Sequence, residues 1–243
     1  MNQHNPVNKI RSYFSSEGMS VSGRNITFAQ DKNFLNLVNS IAEDDKERGK
    51  IWRLHVFLWA FINGLKLEGD LIECGVYRGF CSSVACNYTN FHNINKKLFL
   101  FDTWDRIPVD QIDQKEQEIE KYFDIINEDN YQTNDVKNFL KVEERFKYFP
   151  NVQLIKGRVP EVFKNIRVPN KISFLHLDMN SSIAEIGALE VLFEKMVPGS
   201  ICLLDDFGMA VAIDQMKAEL DWFTNKGYYI CESPTSQGII VKV

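Results

Sequence analysis

The sequence lacks any apolar run long enough to cross a bilayer. Its longest, around Val56–Ile62 and Val197–Leu204, fall well short of the roughly 20 residues a spanning helix needs. The opening Met1-Asn2-Gln3-His4-Asn5-Pro6 is polar, without the apolar centre of a signal peptide. Cysteine is sparse and odd in number: Cys74, Cys81, Cys86, Cys202 and Cys231 form no CxxC pair and no zinc-type spacing. Most sit in apolar runs, so buried, reduced thiols and a cytoplasmic setting are expected. There is no basic excess either. With 28 Lys+Arg against 33 Asp+Glu, the formal charge of −5 argues against a broad nucleic-acid surface. Internal repeats and low-complexity segments are absent.

What is present suits a soluble enzyme-sized chain. Its 243 residues, 44% hydrophobic and 25% charged, suffice for one α/β domain with an N-terminal extension. Residues 1–30 are polar, with turn signals at Ser15-Ser16-Glu17-Gly18 and Ser22-Gly23-Arg24-Asn25. Phe34, Leu37, Val38 and Ile41 recur at helical spacing. A charged break, Glu43 to Gly49, precedes a second helix from Ile51 to Ile62 that is apolar over much of its circumference. His55 on that helix reads as a packing residue. We divide the chain into residues 1–66, an arm and helices that cap or oligomerise, and a main domain over 67–243.

The main domain alternates strands with helices. Asp70 to Cys74, Leu98 to Phe101, Val152 to Ile155, Ile172 to Leu177 and Ile201 to Leu204 are short continuous apolar runs. Such runs suit strands covered on both faces, hence a parallel, doubly wound α/β sheet. Tyr228–Cys231 and Gly238–Val243 read as a closing hairpin. Residues 103–149 form an unusually long connection. Gln111–Lys121 reads as a solvated helix face. Tyr122, Phe123, Tyr131, Phe139 and Phe146 read equally as a lid or as the inner face of two helices.

Chemistry concentrates at the strand ends. In such sheets ligands bind outside the carboxyl ends of the strands. The first strand ends at Glu73-Cys74-Gly75-Val76-Tyr77-Arg78-Gly79, whose glycines allow a tight turn and close backbone approach. Asp102 ends the next strand, 29 positions after Glu73, where an acid accepts from ribose hydroxyls. Asp178 and the pair Asp205-Asp206 end two strands expected to be adjacent. Hard oxygen donors converging there suit Mg²⁺, Mn²⁺ or Ca²⁺ far better than zinc. The bland alternative is that one of the pair only caps a helix.

Together these blocks resemble class I S-adenosylmethionine-dependent methyltransferases, and more closely the macrocin O-methyltransferase (TylF/MycF-type) family. Carrying the resemblance are Gly69 to Gly79, Leu100-Phe101-Asp102-Thr103-Trp104, Leu175 to Asp178, Pro198 to Gly208, and Ser233 to Lys242. It implies a Rossmann-like sheet of seven strands with the last antiparallel. It implies S-adenosylmethionine held by Glu73, Gly75, Val76, Tyr77, Gly79, Ser82, Asp102, Thr103, Gly157, Arg158 and His176, with Gly157 and Arg158 near the adenine. It implies Mg²⁺ or Mn²⁺ on Asp178, Asp205 and Asp206, with Asp178 also the general base, and a sugar or glycosylated natural product as the hydroxyl-bearing acceptor. A homo-oligomer is compatible; a nucleic-acid or membrane partner is not expected. The chain departs from the family at Asp178-Met179-Asn180-Ser181-Ser182, where Asp-x-Asp-x-Tyr is usual, and at Phe207, where tyrosine is common. Two other readings remain at this point: a nicotinamide-dependent oxidoreductase, and a non-catalytic binding protein on the same fold.

Overall fold

A computed structural model describes residues 13–105, 107–111 and 135–243. An antiparallel hairpin, β1 (Tyr13–Ser16) and β2 (Met19–Ser22), opens the described chain. Helices α1 (Lys32–Ile41), α2 (Asp45–Gly49) and α3 (Ile51–Leu65) follow, then β3 (Asp70–Cys74), α4 (Phe80–Thr89) and β4 (Leu98–Asp102). After the long connection come α5 (Asp135–Phe146), β5 (Val152–Lys156), β6 (Ile172–Leu177), α6 (Ser182–Leu192) and β7 (Met196–Leu204). The chain closes with α7 (Ile213–Asn225), β8 (Cys231–Glu232) and β9 (Gly238–Val241).

The main sheet has seven strands in the order β5-β4-β3-β6-β7-β9-β8. Pairings from β5 through β7 are all parallel, and β9 runs antiparallel to both β7 and β8. The expected doubly wound, seven-stranded architecture is therefore observed. Because the chain moves outward through β3, β4 and β5 and then returns to β6, the order reverses between β3 and β6. That reversal opens a crevice at the carboxyl edge.

Alternation along each strand divides the core in two. Leu71, Leu98, Leu100, Phe174, Ile201 and Leu203 face α1, α3 and α4. Ile72, Phe101, Leu175, Leu177, Cys202 and Leu204 face the helices on the other side. The N-terminal helices belong to the first of these layers: Phe34, Val38, Leu54, Phe57 and Phe61 pack into the same core as the strands. Among the described residues no helix is long and apolar enough to cross a membrane.

Local departures from the sequence reading have physical causes. The N-terminal stretch, expected to be irregular, forms the β1–β2 hairpin because Phe14 packs edge-on against Phe28 and Trp52 at 5.8 and 5.7 Å. The charged break contains α2, whose N-cap Asp44 accepts from the Glu47 N–H. The closing hairpin keeps only Cys231–Glu232 as its outer strand, shorter than Tyr228–Cys231. His55 stacks on Phe28 at 4.2 Å, as a packing residue should. Phe139 packs on Trp104 at 4.7 Å and Phe146 against Phe149, so both belong to a helix's inner face. Tyr122, Phe123 and Tyr131, like most of Gln111–Lys121, lie outside the described residues.

Two helical glycines differ sharply in surroundings. A Cβ on Gly64 of α3 would lie 2.9 Å from Phe174 Cβ and from the Ser173 carbonyl, whereas one on Gly49 meets nothing within 4 Å. Gly64→Ala should therefore push α3 off β6 and cost about 1–3 kcal/mol. Gly49→Ala should gain about 0.5–1 kcal/mol from helix propensity. Urea unfolding of the two variants checks this; equal shifts would contradict the packing described.

Candidate active site

A cavity of about 810 Å³ lies in the crevice. Its wall runs along the strand ends in sheet order. Gly157 and Val159 follow β5, Asp102 and Thr103 end β4, and Gly75 to Tyr77 follow β3. Asp178 and Asn180 follow β6, and Asp205 and Asp206 follow β7. Adjacent strands are about 4.8 Å apart, so these five positions form one continuous row.

The loop after β3 is built by close approach. Gly75 has φ +85°, and a Cβ there would sit 1.9 Å from the Asp178 carbonyl oxygen. Only glycine lets this turn press against the strand end bearing Asp178. Asp102 holds the next residues: its Oδ2 accepts the N–H groups of Val76 at 2.6 Å and Tyr77 at 2.7 Å, and its Oδ1 accepts Trp104 N–H at 2.6 Å. Asp102 was expected to receive ribose hydroxyls. It lines the cavity, but three of its acceptor positions already fasten the loop. Tyr77 and Trp104 both adopt positive φ and are tied together by Trp104 Nε1–H donating to the Tyr77 carbonyl at 3.0 Å. Strain of this kind gathers where a ligand loop is over-determined by its supports.

Four residues expected to touch the cofactor stand elsewhere. Gly79 is the left-handed N-cap of α4, pressed against Phe146 rather than the cavity. Ser82 and His176 are buried behind the wall. Glu73 does line the cavity, but its carboxylate turns to these two, accepting from Ser82 Oγ and facing His176 Nδ1 at 3.0 Å. Arg158 forms a salt bridge with Asp110 at 2.8 Å outside the cavity.

The acidic end holds residues that the sequence reading missed. Arg53 of α3 is 5% exposed. It pairs with the Asp205 carboxylate, donates to the Asp205 carbonyl at 2.7 Å and the Thr235 carbonyl at 3.0 Å, and bonds Glu17 in the β1–β2 turn at 2.9 Å. Gln237 Nε2–H donates to Asp205 Oδ1 at 2.9 Å. Thus both Asp205 oxygens are engaged. The signal was available: Arg53 is a lone charge within an apolar helix.

Burial and charge set the protonation states here. Burial alone would raise Asp205, but Arg53, His176 and Lys50 hold its carboxyl far below the usual range. Burial and the neighbouring Asp205 and Asp206 charges push Asp178 well up. Burial and Asp205 also raise Asp206, against Arg53 and Lys50. Burial alone would lower His176, yet Asp205 and Glu73 on its two ring nitrogens push it up to about 10. The two carboxylates thus favour the charged ring, which offers no lone pair to a metal.

Ligand atoms of His176, Asp178 and Asp205 lie within 4.8 Å of one another, but the charged ring and the Arg53-paired carboxylate are both committed. Asp178 carries no side-chain hydrogen bond or ion pair among the described residues, and Asp206 has only Arg53 at 3.6 Å. Two carboxyls raised by burial and by the charge of Asp205, facing one cavity, mark a site short of positive charge. This donor set fits a hard divalent cation.

The departures from the family pattern around Asn180, Ser181 and Phe207 have local settings. Asn180 sits at φ 53°, a left-handed position that Asn and Asp tolerate best. Ser181 is the N-cap of α6 and accepts from Ala184 N–H. Phe207 is 3% exposed and packs in the core.

His176 makes stability depend on pH. Below the ordinary imidazole value of about 6.5 it is charged in both folded and unfolded chains, and its pairing contributes fully. As pH rises from there through about 10, that contribution is lost. The stability difference between wild type and His176→Asn should accordingly shrink over this range in urea titrations. A difference independent of pH would contradict the charged ring.

No curated protein sequence matches the chain. Among solved structures it is similar to the O-methyltransferase NovP, at TM-score 0.61 and 16% identity, covering 81% of each chain. It is also similar to CalS11, a calicheamicin methyltransferase, at TM-score 0.58 and 12% identity, covering 94% of this chain and 98% of that one. An apo structure of CalS11 is described as a TDP-rhamnose 3'-O-methyltransferase. The methyltransferase PaMTH1 of Podospora anserina, solved with S-adenosylhomocysteine, matches at TM-score 0.51 and 10% identity, over 87% and 86%. Identities this low speak for the fold. The family follows from sequence: the model for macrocin-O-methyltransferase (TylF) matches residues 53–226. That match removes the nicotinamide and non-catalytic readings. The chain belongs to the macrocin-O-methyltransferase (TylF) family of S-adenosylmethionine-dependent O-methyltransferases.

Proposed function

We propose that the enzyme methylates a hydroxyl of a sugar or glycosylated small molecule, with a divalent cation at the acidic end of the cavity. The observation that carries this reading is the ordering of the cavity wall. The loop-forming residues line the β5, β4 and β3 ends, and the uncompensated carboxyls stand at β6 and β7. A cofactor laid along the first three strand ends brings its sulfonium over Gly75, against Asp178. The acceptor then lies beyond, among Glu17, Lys46, Asp206 and Gln215. Such polar walls suit a hydroxyl-rich ligand. The family and the description of CalS11 agree with a sugar acceptor.

Asp178 and Asp206 would hold the cation, with Asp205 fixed behind them by Arg53. A bound Mg²⁺ or Mn²⁺ would supply the missing positive charge and make the acceptor hydroxyl easier to deprotonate. In the transfer itself, the acceptor oxygen bonds the methyl carbon as the carbon–sulfur bond breaks, and its electron pair returns to sulfur. Asp178 takes the hydroxyl proton. Holding both reactants in one rigid row supplies much of the rate.

Asp178→Asn should lower kcat by about 10²–10⁴-fold, the usual reach of a general base, while S-adenosylhomocysteine still binds as in the wild type by calorimetry. Unchanged turnover would overturn the assignment. Chelation should stop the reaction and Mg²⁺ should restore it; activity indifferent to chelator would overturn the cation. Turnover assays with a nucleotide-linked sugar as acceptor test the substrate class.

A further inference from the structure

Arg53 and the His176 ring are spent on the acids; Lys50 is not. Lys50 is the single residue between α2 and α3. Its backbone serves both helices, donating to the Glu47 carbonyl and accepting from Leu54 N–H at 2.8 Å. Its side chain lines the cavity. Among the described residues no hydrogen bond or salt bridge satisfies the ammonium. Burial would lower its pKa, but Cys81, Asp205 and Asp178 keep it raised, so it stays charged. An unpaired ammonium that lines a cavity is free to take an anionic group of a ligand.

Its neighbours say where in the cavity it lies. Cys81 is in the first turn of α4, the helix after the β3 loop, and also lines the cavity. No side chain caps that helix: its N-cap is Gly79, and no acid stands in its first turn. The first N–H groups of a helix need acceptors and favour negative charge. Lys50 and the open start of α4 therefore make one positive corner, next to Asp178 on the β6 side. Resting on the cofactor placement above, adenosine occupies the β5 and β4 ends and sulfur lies over Gly75. The methionyl tail must then leave β3 in the direction of α4. We propose that Lys50 binds the α-carboxylate of the methyl donor, anchoring the tail and so fixing the sulfonium against Asp178.

The corner would also accept a carboxylate borne by the acceptor, and binding measurements separate the two sources. The probes are S-adenosylhomocysteine and its decarboxylated form, which lacks only the carboxylate, titrated calorimetrically into wild type, Lys50→Met and Lys50→Arg. Wild type should bind the decarboxylated form about 10- to 100-fold more weakly than the parent, the range for a lost charge-assisted hydrogen bond. Lys50→Met should weaken the parent by a similar factor and leave the decarboxylated form unchanged, and Lys50→Arg should recover much of the loss. If Lys50→Met weakens both probes equally, or neither, the proposal is overturned, and in the second case the corner belongs to the acceptor. Failure of wild type to bind S-adenosylhomocysteine at all would instead overturn the cofactor placement on which it rests.

Discussion

The carboxyl edge of the sheet depends on how buried negative charge is divided between fixed cations and the cavity. Four acids, Glu73, Asp178, Asp205 and Asp206, converge within a few residues of the β3, β6 and β7 ends. Arg53 and His176 neutralise two of them from behind the wall: Arg53 takes Asp205, and the charged ring bridges Asp205 and Glu73. Removing one partner from a buried pair of this kind costs about 3–5 kcal/mol, because a charge is left stranded. Asp178 and Asp206 remain without full compensation, and they face the cavity. The fold has thus sorted its acids into a set paired behind the wall and a set facing the cavity.

That sorting also explains why the N-terminal segment matters to a site built at the strand ends. Arg53 and Lys50 come from α3 and the residue before it, and Glu17 comes from the β1–β2 turn. The same α3 packs Phe57 and Phe61 into the core beneath. One helix therefore carries both the packing that fixes its height and the cation that fixes Asp205. Gly64, near its end, sets how closely it approaches β6.

Much of this was legible in the sequence because the sheet is parallel and buried on both faces. Continuous apolar runs mark such strands, and an acid at the end of each run stands out. That logic located Asp102, Asp178, Asp205 and Asp206, all on the cavity wall. It failed where residue type alone does not tell front from back. His176 and Ser82 sit next to cavity residues in sequence, but alternation along β6 and the turn of α4 direct them inward to Glu73. Lys50 and Arg53 escaped notice for the opposite reason: one closes a charged break, the other hides in an apolar helix. The β1–β2 hairpin was illegible because its strands are polar, and it is held by distant partners: Phe14 packs on Trp52 and Phe28, and Glu17 pairs with Arg53.

The central claim is a single row of strand ends with the methyl donor over β5, β4 and β3 and a cation with the acceptor over β6 and β7. A crystal structure of the enzyme with S-adenosylhomocysteine and Mn²⁺, using the anomalous signal of the metal, tests it most directly. The account predicts the thioether sulfur over Gly75 and a manganese peak on the Asp178 and Asp206 carboxylates, with Asp205 still paired to Arg53. A metal peak on His176, or a cofactor lying across β6 and β7, would contradict it.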